Sequence, residues 1–225
     1  MLRTRISAAF LFFLFASFVH WSLNGTAEAN EASRYSWKKV QSMGAYPFSV
    51  IELDQMGAGK FRFQKAESDL VTIDFQIRRS TLASIHNLFL QMDFLNEAKN
   101  FTSYRKVADL GTKTIRFENG LKSREVTFNY TEDRTLQEIN DFFENLAQQE
   151  RYLFDIELAL KYDKLGIPRK LDDLEHEFYA KRIVAPERFK PILEKIRDDE
   201  SLLNLARKEA RKLLLKISKM QLGTN

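Results

Sequence analysis

Val71, Ile73, Phe75 and Ile77 alternate with Thr72, Asp74, Gln76 and Arg78. A strict period of two makes such a segment a strand with one buried face and one wet face. Phe61 and Phe63 alternate with Arg62 and Gln64 in the same way, and the run from Phe48 to Leu53 is apolar enough to pair with them. Between these two runs Asp54 to Gly59 carries glycines at 57 and 59, which suits a tight turn. Further along, Ile115 and Phe117 define an inward face between Thr112 and Glu118. Val126, Phe128 and Tyr130 define another between Ser123 and Tyr130, and Asn119-Gly120 joins the two runs as a hairpin cue.

Two helices interrupt and follow these strands. Ser80 is placed to cap the first, in which Leu82, Ile85, Leu88, Phe89 and Met92 recur at spacings of three and four. Thr135 and Glu138 form a capping box at the start of a long second helix with Leu136, Ile139, Phe143, Leu146, Leu153 and Leu160 on one side, stopped by Gly166 and Pro168. Beyond Asp163 the period of two does not return. Leu171, Leu174 and Phe178, then Phe189, Leu193 and Ile196, then Leu202, Leu205, Ala206, Leu213 and Ile217 mark three more helical segments, punctuated by Pro186 and Pro191. The order predicts an α+β fold: an antiparallel sheet of about five strands packed by helices over residues 46–163, followed by an all-helical subdomain over 164–225.

The chain's start reads differently. Arg3 and Arg5 precede an uncharged, Phe-rich run from Ile6 to Val19, and Ala27-Glu28-Ala29 supplies a small-x-small cleavage pattern. This order predicts a signal peptide over 1–29 and export to the periplasm or the medium. Because His20 and the polar stretch from Ser22 to Thr26 break the apolar run, a retained transmembrane helix is not expected. Residues 30–45, small and polar until Trp37, read as a flexible leader.

Among 225 residues there is no cysteine, which removes disulfides, thiolate nucleophiles and Cys-bound metals together. A net charge of +4 is too small to indicate a nucleic-acid partner. With no cofactor motif, no cofactor is expected.

The hairpin DQMGAG, the strand VTIDFQI, the helical stretch TLASIHNLFLQM, the hairpin ENG and the long helix from Thr135 together resemble exported bacterial domains of unknown function, over about half the chain. These are turn and core residues, so the resemblance implies export and carries over no functional residue.

Residue patterns that could carry chemistry are few. Gly57-Ala58-Gly59-Lys60 lacks the first glycine of a phosphate loop, where Asp54 stands, and its Ser or Thr, where Phe61 stands. Ser36 to Lys39 and Ser103 to Lys106 match Ser-x-x-Lys, without the further elements of serine acyl-enzymes. His86 reads as a core-edge residue. His176 has Asp172 one turn earlier and Glu175 and Glu177 beside it, so Asp172 and His176 are candidate ligands for a hard divalent ion if further oxygens converge. Lys208, Lys212 and Lys216 form a stripe that could meet an anionic surface. Asn100 and Asn129 fit the N-glycosylation pattern.

The expected function is a non-enzymatic binding or envelope-associated module whose partner is a protein or another envelope component. The rival is a hydrolase using dispersed carboxylates, with or without a divalent metal near His176. Two or more buried acids converging on a pocket would favour the rival.

Overall fold

The computed structural model describes residues 32–65, 68–101, 103, 105 and 107–222, and the expected signal peptide lies outside them. Six strands form one sheet: β1 (Ser33–Val40), β2 (Phe48–Asp54), β3 (Ala58–Gln64), β4 (Leu70–Gln76), β5 (Thr112–Asn119) and β6 (Lys122–Phe128). Their spatial order is β4-β3-β2-β1-β5-β6, and every neighbouring pair is antiparallel. The helices are α1 (Arg79–Gln91), α2 (Arg134–Tyr162), α3 (Ile167–Tyr179), α4 (Lys190–Asp198) and α5 (Asn204–Leu222). This is the expected α+β architecture with a helical C-terminal region.

The segment expected as a flexible leader is instead a central strand. In β1, Ser33, Tyr35 and Trp37 are buried while Arg34 and Lys38 are exposed, which is the same period of two hidden under a polar composition. Trp37 is 1% exposed and its indole N–H donates to Asn140 Oδ1 on α2 at 3.0 Å. That bond satisfies the one polar atom of a ring otherwise sunk in the core.

Local chemistry explains the turns. Asp54 Oδ1 accepts from the backbone N–H of Met56 and of Ala58, at 2.8 and 2.9 Å, and Gly57 takes φ +81° between them. A side chain at Gly57 would be strained there. Between β5 and β6 the two-residue turn is Gly120-Leu121, with Gly120 at φ +58°, so the Asn-Gly pair straddles the turn instead of filling it. Both expected helix caps shift. Helix α1 begins one residue before Ser80 with Arg78 at its N-cap and no side-chain cap, and α2 is capped by Asp133, whose Oδ1 accepts from Leu136 N at 2.9 Å. Thr135 and Glu138 are therefore the second and fifth residues of the helix, where a capping box cannot act.

One face of the sheet packs on α1 and on the N-terminal half of α2. Phe61, Phe63, Phe75, Ile115 and Phe117 meet Ile85, Phe89, Ile139, Phe143 and Leu146 in one aromatic-rich core. A second core gathers Leu153, Ile156 and Ala159 of α2 with Leu171, Leu174 and Phe178 of α3, Leu193 and Ile196 of α4, and Leu213 and Ile217 of α5. Helix α2 is 29 residues, about 43 Å long, and serves both cores, so the division falls inside this helix and not at the expected boundary after Asp163. Glu31–Asn225 is accordingly one compact unit. Leu205, expected on the buried side of the last helix, is more than half exposed, whereas Ala206 and Ala210 are fully buried in the second core.

Candidate functional site: the open face of the sheet

Side chains alternate across a strand. With the odd-numbered residues of β1, β3, β4 and β5 buried under α1 and α2, the even-numbered ones face away from the helices. Register lines them up in rows across all six strands. One row runs Asp74, Lys60, Glu52, Ser36, Arg116, Glu125. The next runs Asp54, Arg34, Glu118, Ser123. Charge changes sign at almost every step, interrupted only where a serine stands.

The rows sit in a broad concavity of about 850 Å³ whose lining includes carboxylates at 52, 54, 74, 118 and 125 and cations at 34, 60 and 116. Ion pairs tie some of them together: Arg62 Nη2 lies 3.1 Å from Glu52, Lys60 Nζ 3.7 Å from Asp74, and Arg116 Nη2 2.5 Å from Glu118. They are wet, with Asp74 80% and Glu52 50% exposed along their side chains. Exposed pairs of this kind contribute roughly 0–1 kcal/mol to folding, so the pattern does little to hold the sheet together.

Other residues singled out in the sequence fall elsewhere. His176 Nε2 stands 3.7 Å from Asp172 Oδ2, and both side chains are mostly exposed. The flanking acids turn away from them: Glu175 accepts from Lys212 Nζ at 2.6 Å, and Glu177 accepts from Arg182 at 2.6 and 2.8 Å and from the Tyr152 hydroxyl at 3.2 Å. Those bonds hold both carboxyls below the ordinary glutamate range, against the opposing effect of burial. Glu175 and Glu177 are thus committed to packing α3 on its neighbours, which leaves Asp172 and His176 as a two-group pair without the further oxygens a metal needs. Among the described residues no group of three or more His, Cys, Asp or Glu converges.

The lysine stripe is likewise divided. Lys208 is exposed, but Lys212 is paired with Glu175 and also stands 3.5 Å from Glu209, and Lys216 Nζ lies 3.3 Å from the centre of the Tyr179 ring. Two of the three lysines therefore bind α5 to α3, and the stripe read as a candidate anionic-surface contact is not uniform.

The Ser36–Lys39 match places its two residues on opposite faces of β1, out of mutual reach, and Lys106 of the second match lies outside the described residues. His86 is a core-edge residue as expected: its Nδ1 is 2.7 Å from the Tyr35 hydroxyl, its ring stands edge-on to Phe117, and burial pushes its pKa down. Asn129 has its carboxamide engaged, accepting from Leu110 N and donating to Ala108 O, and Thr102 of the Asn100 pattern lies outside the described residues.

Sequence reasoning missed two polar clusters on the buried side of α2. Glu150, fully buried, is bound by Arg188 at 2.6 Å, and the adjacent Gln149 accepts from Ala185 N at 2.8 Å. Arg151 stacks on Tyr46. In a helix whose sequence is largely polar nothing marks these residues as internal, because their partners come from distant segments. The open-face rows were half visible: the alternation identifies the wet residues, but which of them stand side by side depends on strand order. The sequence matches no protein-family model and no curated protein.

Proposed function

We propose that this chain is an exported, non-enzymatic binding module that docks a folded protein partner of the cell envelope or the periplasm on the open face of its sheet. The observation that carries the reading is the row Asp74, Lys60, Glu52, Ser36, Arg116, Glu125, with its alternating signs on a six-stranded face left open among the described residues. A nucleic acid or an anionic lipid surface presents one sign of charge and would meet repelling carboxylates at three of the row's six positions. A protein surface carries both signs and can match them, which gives specificity and register more than raw affinity. Export is supported by the order of Arg3, Arg5, the Phe-rich run and Ala27-Glu28-Ala29. Among the described residues no helix is long and apolar enough to cross a membrane.

The hydrolase alternative draws no support from the buried acids. Glu150, Glu175 and Glu177 are each consumed by a cation, Arg188, Lys212 and Arg182 respectively, and do not line the sheet concavity.

The test is in-cell crosslinking from the open face, comparing the parent chain with the double variant Glu52→Lys, Arg116→Glu and with Lys208→Gln as a control. The expected result is one crosslinked partner that persists in the control, is lost in the double variant at unchanged melting temperature, and weakens with added salt. A partner retained by the double variant overturns the assignment of this face. N-terminal sequencing of the exported protein should start at Asn30, and a start at Met1 in that fraction overturns the signal assignment.

A further inference from the structure

On the helix-covered side of the sheet, the end of β1 and the approach to β2 meet the middle of α2 around a pocket of about 300 Å³. Trp37, Lys39, Tyr46, Glu144, Gln148 and Arg151 contribute to its walls. The volume is at the small end of ligand sites, and the lining combines aromatic surface with a few convergent polar groups, as such sites do.

Arg151 is the unusual member. Its guanidinium lies 4.6 Å from the centre of the Tyr46 ring and 5.8 Å from that of Phe61. Its hydrogen bonds go to neutral acceptors: Nη1 donates to Ser49 Oγ at 3.3 Å, and Nε and Nη2 donate to Gln148 Oε1 at 3.3 and 3.1 Å. Of its five N–H groups, two have no acceptor among the described residues, and no carboxylate there comes within ion-pair distance. The acids that face it through space are Glu144 and Asp155, with the hydroxyls of Tyr46 and Tyr152.

Glu144 is already spent. Its Oε1 accepts from Lys39 Nζ at 3.0 Å and from Asn140 Nδ2 at 3.3 Å. Lys113, the other cation nearby, donates to the carbonyl of Asn129 on the sheet side. Lys39 and Glu144 pair with each other, so Asp155 acts on Arg151 through space without touching it. A guanidinium drawn out of water with no carboxylate in contact is costly, because burial disfavours its charged form and arginine does not deprotonate to escape the cost.

We infer that this pocket binds a small organic monocarboxylate, whose two oxygens take the free N–H groups of Arg151 and whose short apolar tail lies between Trp37 and Tyr46. A monoanion is repelled by Glu144 and Asp155 less than a dianion would be. The planar fork of arginine fits the two oxygens of a carboxylate. Asn145 and Gln41 supply neutral amide surface at the rim, the latter half-buried with its Nε2 donating to Tyr46 O at 3.1 Å. This site lies on the opposite side of the sheet from the protein-docking face and does not depend on it.

Trp37 makes the pocket self-reporting, since the sequence has one other tryptophan, at position 21. In the full chain carrying Trp21→Phe, indole fluorescence is followed during titration with butyrate, inorganic phosphate or chloride at constant ionic strength. A saturable change with butyrate is expected, no saturable change with chloride, and half-saturation by phosphate at a concentration at least about tenfold higher. Arg151→Gln should abolish the butyrate response. If that variant does not fold, Asn145→Asp decides: it leaves the guanidinium in place, sets a competing carboxylate at the rim, and should weaken butyrate about tenfold at unchanged melting temperature. A butyrate response no different from chloride overturns the inference, as does one that survives Arg151→Gln or is unaffected by Asn145→Asp. Phosphate binding as tight as butyrate overturns the choice of a monocarboxylate.

Discussion

Arg188, in the short 3-10 turn Pro186–Phe189 before α4, holds the fully buried Glu150 of α2, with Nη2 2.6 Å from Oε2 and Nε 3.1 Å from Oε1. The same guanidinium lies 5.6 Å from the centre of the Phe75 ring. One cation thereby connects the edge strand β4, the middle of α2 and the start of the C-terminal helices at the place where the two cores meet.

Removing one partner of that pair should therefore loosen both cores. Arg188→Met leaves Glu150 charged and buried, and should cost about 3–5 kcal/mol by urea denaturation. Adding Glu150→Gln should recover a good part of the loss, because the uncompensated charge is gone. A single Arg188→Met change below about 1 kcal/mol would mean that Glu150 reaches water when its partner is missing.

Gly59 and Phe75 form a second coupled pair. A Cβ built on Gly59 would stand 2.4 Å from Phe75 Cζ and 2.8 Å from Leu53 Cδ2, so the phenyl ring lies directly over the glycine across the β3–β4 pairing. Phe75→Ala should cost about 3–5 kcal/mol, and Gly59→Ala about 1–3 kcal/mol from overpacking. In the Phe75→Leu background the Gly59→Ala penalty should shrink, since the clashing ring atoms are gone. Additive losses in a double-mutant cycle would show that the two sites do not share the strain.

His86 predicts a pH step. Burial lowers its folded pKa, and neutral Nδ1 can accept from the Tyr35 hydroxyl whereas the protonated ring cannot. The unfolded chain therefore binds the proton more readily. Stability is present in full above the ordinary histidine value of about 6.5 and is lost as pH falls from there through the lower folded value. Melting temperatures of the parent chain should fall between about pH 7 and pH 5, and His86→Gln should flatten that portion of the curve. A parent whose melting temperature is level across the interval would place the titration elsewhere.

The period of two in β3 to β6 was legible because large apolar residues dominate the inward positions and polar ones the outward: Phe75 and Phe117 are buried, Asp74 and Arg116 are wet. Strand β1 carries the same alternation, but Ser33 and the polar residues around Trp37 resemble a linker by composition, so the pattern was outweighed by its context. Only pairing on both sides, with β2 and β5, turns that segment into the middle of the sheet. The long-range polar contacts were not legible at all. Glu150 and Arg151 are adjacent on α2, yet one is bound by Arg188 and the other stacks on Tyr46, residues that come close only after the whole chain has folded.

The lysine stripe gives the last prediction, and its three members should behave differently. Lys208 is exposed, and Lys208→Gln should change stability by no more than about 0.5 kcal/mol. Lys216 has its ammonium buried against the Tyr179 ring and 5.7 Å from the centre of Phe178, with no hydrogen-bond acceptor in reach among the described residues. Its attraction to the two rings is what offsets its lost hydration, so Lys216→Gln should cost about 1–2 kcal/mol. Lys212→Gln frees Glu175, whose carboxyl then loses the bond that lowers its pKa. In the parent that pair contributes stability above the ordinary glutamate value of about 4.3, and the contribution disappears as pH falls through the lower folded value. The variant should therefore differ from the parent near neutral pH and converge with it in acid. Denaturant titrations at neutral and acidic pH measure all three effects. Equal and negligible changes at the three positions would return the stripe to a solvated face, whereas the graded response makes α5 a helix whose lysines are spent on packing against α3.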